Sequence, residues 1–317
     1  MASKIEENLN VICVISNPCN YKRRIELANI FIAHMNNTKN VKLYIVECIY
    51  PKYGQTEYKV TESGNPCHLQ LTAETILWTK ENMINLGVQK LLPKDYKAFA
   101  FVDADLHFNN NLWAEETLNK LLTYDVLQVF ETGYNLNKMN QVDEKCKMLY
   151  SYCYLWKKIN REHNADMSHV KHKFRHQGWG WAMTRKAYEK MGGLYDLGIL
   201  GGGDTILAKS LTAWRYMYRS KPYVKCSDGF VKSLYDYQIR CIGLNVDYVS
   251  GSVYHYYHGS LTNRKYIDRW NIIIGYGYNP YTFLTRNACG MYTATSAFPI
   301  EMQKEIIIYF KERDEDN

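Results

Sequence analysis

Three short apolar runs, each followed by a polar or turn-forming break, restrict the fold of this chain more than anything else in it. Val11–Ser16 (VICVIS) stops at Asn17-Pro18, Val41–Ile49 (VKLYIVECI) ends before Pro51, and Ala98–Val102 (AFAFV) runs into Asp103. Short β-branched runs without polar alternation read as strands covered on both faces. The segments between them have helical spacing. Tyr21–Met35 sets Ile25, Ala28, Phe31 and Ile32 on one face, and Thr72–Leu86 reads as a helix with Thr72 as N-cap and Gly87 as its stop. Strand, helix, strand, helix, strand predicts an α/β fold, a mostly parallel sheet flanked by crossover helices.

The second half is less regular. Glu115–Leu122 reads as a helix, Val126–Phe130 as a strand, Cys146–Arg161 as a helix and Pro299–Arg313 as an amphipathic terminal helix. No internal repeat or Pro/Gly/Ser-rich linker divides the 317 residues, so a single domain is expected. Composition narrows the function classes. With 14% aromatics and 46% hydrophobic residues the chain is neither disordered nor fibrous. Its net charge of +7 is spread along the sequence, which by itself suits an anionic small molecule as well as nucleic acid; with the patterns below, no nucleic-acid partner is expected. Nine cysteines, an odd number with no Cys-x-x-Cys pair, argue against a zinc ribbon or a disulfide framework. No apolar stretch is long enough for a membrane span or a signal peptide, so a cytoplasmic location is expected. The abundance of Asn, Lys, Ile and Tyr suggests an A/T-rich genome, a large DNA virus being one such source.

Three patterns carry chemistry. Asp103-Ala104-Asp105 follows a buried strand, where open α/β sheets collect ligands. If the backbone stays extended, both carboxylates point the same way and can share a divalent cation that bridges diphosphate oxygens. The alternative is that they only cap the next turn. His255 and His258 add imidazole to such a set, which suits Mn²⁺ more than Ca²⁺, while Arg264, Lys265 and Arg269 offset diphosphate charge. Alone, these histidines also read as satisfied, half-buried side chains. In Gln177–Leu207, Gly201–Gly203 permit close backbone approach, Asp204 is either a helix cap or a base, and Trp179 and Trp181 around Gly180 offer flat faces to a sugar or pack in the core.

In this order, the three patterns resemble the nucleotide-sugar-dependent glycosyltransferases of the GT-A fold, in particular the family 2-like group, from VICVISNP to about Arg269. The resemblance implies a Rossmann-like domain, with 1–108 as the nucleotide-sugar-binding half, 109–270 as the acceptor half and 271–317 as a C-terminal extension. It implies that Asp103 and Asp105 are the Asp-x-Asp metal motif, that His255 or His258 completes the metal shell, and that Asp204 is the base. In Gly202-Gly203-Asp204 a glycine stands where many relatives carry a first acidic residue. Positions matched to donor binding are Asn17, Pro18, Arg24, Glu47, Lys80, Ala104, Trp179, Gly180 and Arg264. A basic stretch at about 160–177, with His163, His169, His172 and His176, corresponds to a mobile loop over the donor. The expected activity is Mn²⁺- or Mg²⁺-dependent transfer, by inversion, from a UDP-sugar or GDP-sugar to a hydroxyl of a glycan, glycoprotein or small molecule. A nucleotidyltransferase ranks lower because VICVISNPCNYKRR is not glycine-rich, and a third reading is an inactive glycan- or protein-binding module.

Overall fold

The computed structural model describes residues 4–146, 148–163, 175–212, 218 and 221–317, with side chains at 159–163 excepted. The first half runs β1 (Leu9–Ser16), α1 (Lys22–Asn36), β2 (Val41–Ile49), β3 (His68–Thr72), α2 (Lys80–Leu91) and β4 (Ala98–Val102). There follow β5 (Leu106–Phe108), α3 (Trp113–Lys120), β6 (Val126–Gln128), β7 (Thr132–Asn135), β8 (Leu149–Ser151), α4 (Tyr152–His163), β9 (Arg175–His176) and β10 (Gly180–Thr184). Next come α5 (Arg185–Met191), α6 (Gly203–Leu211), α7 (Asp228–Cys241), β11 (Val246–Tyr248) and β12 (Ser252–His255). The C-terminal part holds α8 (Trp270–Gly275), α9 (Pro280–Phe283), the hairpin β13 (Leu284–Arg286) and β14 (Tyr292–Ala294), and α10 (Ile300–Glu312).

The main sheet has the order β11-β6-β10-β4-β1-β2-β3, parallel except where β10 lies antiparallel between β4 and β6. This is the α/β class expected, a mixed, mostly parallel sheet with helices on its faces. Alternation along β1 explains the continuous apolar run. Val11, Cys13 and Ile15 face a core with Ala28 and Phe31 of α1, while Ile12 faces a second core with Met83 and Ile84 of α2. Phe99, Trp181 and Met183 are fully buried in that second core, each contributing about 1.5–3 kcal/mol by leaving water. No helix among the described residues is long and apolar enough to cross a membrane.

The helix expected over Thr72–Leu86 is corrected. Thr72 ends β3, an edge strand whose mixed HLQLT pattern lacks a buried run, and α2 starts at Lys80. Gly87 does not stop α2 but lets it lie close on the sheet, since a Cβ there would stand 2.9 Å from Val46 Cγ2. Likewise α4 begins at Tyr152, because Leu149–Ser151 pairs with β7 and β9.

A second sheet, β5-β12-β7-β8-β9, stands beyond the end of β4. Its antiparallel β5–β12 pair sets His255 opposite Leu106, and Tyr256 N–H donates to Asp105 O at 2.9 Å. That ladder brings the late histidines to the aspartates.

Candidate active site

Two groups of charged side chains meet just past the carboxyl end of β4. The chain leaves the strand at Val102 and turns through Ala104 and Asp105 before β5. Because the backbone does not stay extended, Asp103 and Asp105 engage different partners, which corrects the shared-side expectation.

Asp105, His255 and His258 form the first group, with one ligand atom from each lying within 4.8 Å of the others. Asp105 Oδ2 is 2.9 Å from His258 Nε2 and 3.7 Å from His255 Nε2, and the two Nε2 atoms are 3.2 Å apart. Each ring's other nitrogen has an acceptor, Asn135 Oδ1 at 3.0 Å for His255 and Glu315 Oε2 at 3.3 Å for His258. With both Nδ1 atoms carrying their hydrogens, two Nε2 lone pairs and a carboxylate converge, as metal-binding imidazoles held by outer acceptors do. Arg264 Nη2, which can only donate, also lies 2.9 Å from His258 Nε2. A hydrogen on that nitrogen would suit Asp105 and oppose Arg264, and its removal would do the reverse. Asp105 Oδ1 is buried without a partner among the described residues. A divalent cation would take both Nε2 lone pairs and give the Asp105 carboxylate a partner, so the donor set fits one, and it would leave Arg264 Nη2 to an anionic partner. Burial opposes charge on Asp105, yet His255 and His258, whenever either carries a second proton, and Arg264 hold its carboxyl well below the usual range. Burial drives His255 far below an ordinary imidazole, which keeps it neutral and available as a ligand.

Trp179 backs this group. Its ring lies between His176, 3.8 Å away at 22°, and His255, 5.4 Å away at 20°. Its φ of +76° is strained for a bulky residue and is sustained by close packing on Gly133. The sugar-facing expectation for Trp179 and Trp181 is corrected, because they are only 3% and 0% exposed. Gly180 is likewise a packing position, where a Cβ would stand 2.7 Å from Val129 Cγ2.

The second group centres on Lys80, at the start of α2. Its ammonium is 2.5 Å from Asp103 Oδ1 and 3.5 Å from Asp204 Oδ1. Asp103 therefore stands outside the histidine group. Burial disfavours the Lys80 charge, but Asp103, Asp204 and Glu81 outweigh it and raise its pKa. Burial lifts Asp103 to about 6, with Lys80 opposing and Asp105 and Asp204 adding to the rise. Asp204 does not cap α6 with its side chain. The N-cap is Gly202, and Asp204 lies in the first helical turn, where the helix dipole favours an anion. Glu81 is 6% exposed and is raised to about 8 by burial and by Asp204.

The donor positions near β1 and β2 divide. An open cleft of about 550 Å³ at the carboxyl ends of these strands is lined by Ile15, Asn17, Tyr21, Glu47, Gln55 and Lys59, among others. Asn17 shapes its floor, bonding the backbone of Tyr21 through both amide atoms, and Pro18 sits in the same turn. Glu47 has a different task from ribose contact, since its carboxylate is taken up by the N–H groups of Lys59, Val60 and Thr61 and the Thr61 hydroxyl. Arg24 is held by Glu315 through two bonds of 2.5 and 2.7 Å. Ala104 sits in the turn with its side chain packed against the core that holds Val11, Cys13 and Phe31. Most of the basic stretch, 164–174, lies outside the described residues. Within its described end, His176 is driven down to about 3 by burial and stacks on Trp179.

The sequence matches no protein-family model and no curated protein. Among solved structures, it is similar to the catalytic domain of Drosophila β1,4-galactosyltransferase 7 with xylobiose, at 13% identity and a TM-score of 0.36, over 77% of this chain and 65% of that one. A mutant of that enzyme in complex with manganese, UDP-Gal and xylobiose aligns at 13% identity and a TM-score of 0.35, over 76% and 64%. The 4-diphosphocytidyl-2C-methyl-D-erythritol synthase of Anaerococcus prevotii aligns at 11% identity and a TM-score of 0.37, over 77% and 87%. The chain thus spans just under two thirds of the galactosyltransferase chains. Likeness at such scores carries no weight for the chemistry, which rests on the geometry above.

Sequence reasoning missed Glu81, Asn135 and Glu315. Glu81 had a signal, since it shares a helix face with Ile84 and Val88, an acid in an apolar stripe. Asn135 and Glu315 had none, because their partners lie far away in the chain.

Proposed function

We propose that this chain is a metal-dependent glycosyltransferase that moves a sugar from a nucleoside-diphosphate sugar, UDP-linked in the preferred case, to an acceptor hydroxyl. The observation that carries the reading is the convergence of Asp105, His255 and His258, with the other ring nitrogen of each imidazole held by an outer acceptor. The cleft volume is in the range of small-molecule sites and suits the nucleoside. These three residues would hold Mn²⁺ or Mg²⁺, and the chemistry such an ion supplies is Lewis-acid stabilisation of charge on the leaving diphosphate. Arg264, beside His258, adds a donor for phosphate oxygens. Asp204 takes the proton of the acceptor hydroxyl as that oxygen attacks the anomeric carbon, with inversion. Lys80 links Asp103 to Asp204 and so fixes the base relative to the donor end of the site. Glu81, protonated at neutral pH, leaves Asp204 as the one anion on its side of the ammonium.

The test is calorimetric titration with UDP and GDP, with and without Mn²⁺, followed by a panel of nucleotide sugars scored for released nucleoside diphosphate. Nucleotide binding that requires Mn²⁺ supports the reading, and binding indifferent to the metal overturns it. Release of pyrophosphate instead would make the protein a nucleotidyltransferase.

A further inference from the structure

We propose that Glu315 is a positioning residue for the cation site, fixing His258 and tying that ligand to Arg24 and so to the start of α1. The inference rests on reading Asp105, His255 and His258 as a divalent-cation site. Residues 313–317, the end of the expected C-terminal extension, are built into the molecule. The Glu315 side chain is only 1% exposed. One carboxylate meets three partners: Arg24 through Nε and Nη2, Arg313 Nε at 2.6 Å, and His258 Nδ1 at 3.3 Å. Its neighbours anchor it. Asp314 N–H donates to the Tyr21 hydroxyl, Asp316 accepts from the N–H groups of Lys22 and Arg23, and Asn317 O accepts from the Tyr257 hydroxyl. Gly259, next to His258, makes the approach possible: at its φ of +85° a Cβ would stand 2.9 Å from Arg313 O and 3.0 Å from Asp314 O.

The physical role follows from the imidazole. A ring that donates its Nδ1 hydrogen to a carboxylate keeps the Nε2 lone pair for the metal, gains basicity and loses rotational freedom. Asn135 does this for His255 with a neutral oxygen, and Glu315 does it for His258 with a charged one. The two guanidiniums neutralise Glu315, so its carboxylate neither swings toward the cation nor strips the imidazole of its proton. Arg24 is thereby a brace for a ligand residue.

The test uses the full chain and Mn²⁺ alone, titrated calorimetrically and by the loss of the free-ion electron paramagnetic resonance signal. Glu315→Asp keeps the charge between the arginines but shortens the reach to His258, and Glu315→Gln keeps the length without the charge. Both are expected to weaken Mn²⁺ binding about 10–100-fold. Asp316→Asn, which loosens the same segment at α1 but touches no ligand, is expected to bind as wild type does. If Glu315→Asp, folded by circular dichroism, binds within twofold of wild type, the proposal is overturned. Equal losses in Glu315→Asp and Asp316→Asn would overturn it too, by making the segment a structural strap. A wild-type chain that does not bind Mn²⁺ overturns the cation site itself, a failure distinct from unchanged affinity in the variants.

Discussion

Replacing Glu81 by glutamine should make the protein more stable at neutral and alkaline pH, by an amount that grows with pH. Glu81 lies in the first turn of α2 with its carboxyl against Gly203, where a Cβ would overlap it, and near Asp204. Burial and that neighbour raise its pKa from 4.5 to about 8. Between these values the folded chain holds a proton that the unfolded chain has released. Stability attributable to Glu81 therefore falls as pH rises, by about 1.4 kcal/mol per pH unit, and levels off above pH 8. Over the whole window the cost reaches roughly 5 kcal/mol, an upper bound because water and side-chain relaxation screen the charge. Glutamine has nothing to ionise. Urea unfolding of both proteins from pH 4.5 to 9, extrapolated linearly to water, should show free energies that separate steadily up to pH 8 and then run parallel. A separation that stays constant across this range would refute the reasoning, since Glu81 would then be ionised in the folded protein as in the unfolded one.

Asp105→Asn should weaken Mn²⁺ binding by more than the roughly 100-fold typical of losing an outer partner, measured by calorimetry. Asp204→Asn should leave UDP affinity in Mn²⁺ within a few fold while lowering transfer by about 10²–10⁴, read as nucleoside diphosphate released with acceptor present. Gly133→Ala should push Trp179 from its place between His176 and His255, costing about 1–3 kcal/mol in urea unfolding and weakening Mn²⁺ binding through His255.

The parallel strands were legible because burial on both faces leaves an unbroken apolar run, as in VICVIS, VKLYIVECI and AFAFV. β3 was not, since an edge strand is covered on fewer sides and HLQLT carries no such signature. Gly87 misled for a physical reason: a glycine that ends helices also allows helices to press on a sheet, and only the neighbours Val46 and Ile12 distinguish the two. At the site, Asp105, His255, His258 and Asp204 were named from their residue types and order, and Lys80 from the family resemblance alone. Their grouping was hidden. Whether Asp103 faces Asp105's partners or Lys80 depends on a turn at Ala104 that no spacing rule reveals. Glu47 and Arg24 were given ligand duties because their partners, the backbone at 59–61 and Glu315, become neighbours only after folding.

The β5–β12 ladder has a consequence for assembly. It joins an aspartate from the first half of the chain to imidazoles from near its end, so the loop closed by this pairing is among the costliest in contact order. A partly folded molecule, or a nascent one still lacking β12, has the strand and the carboxylate but not the complete set of proposed cation ligands. Capture of the ion would then come late, mark the finished molecule and add its binding energy to that state alone.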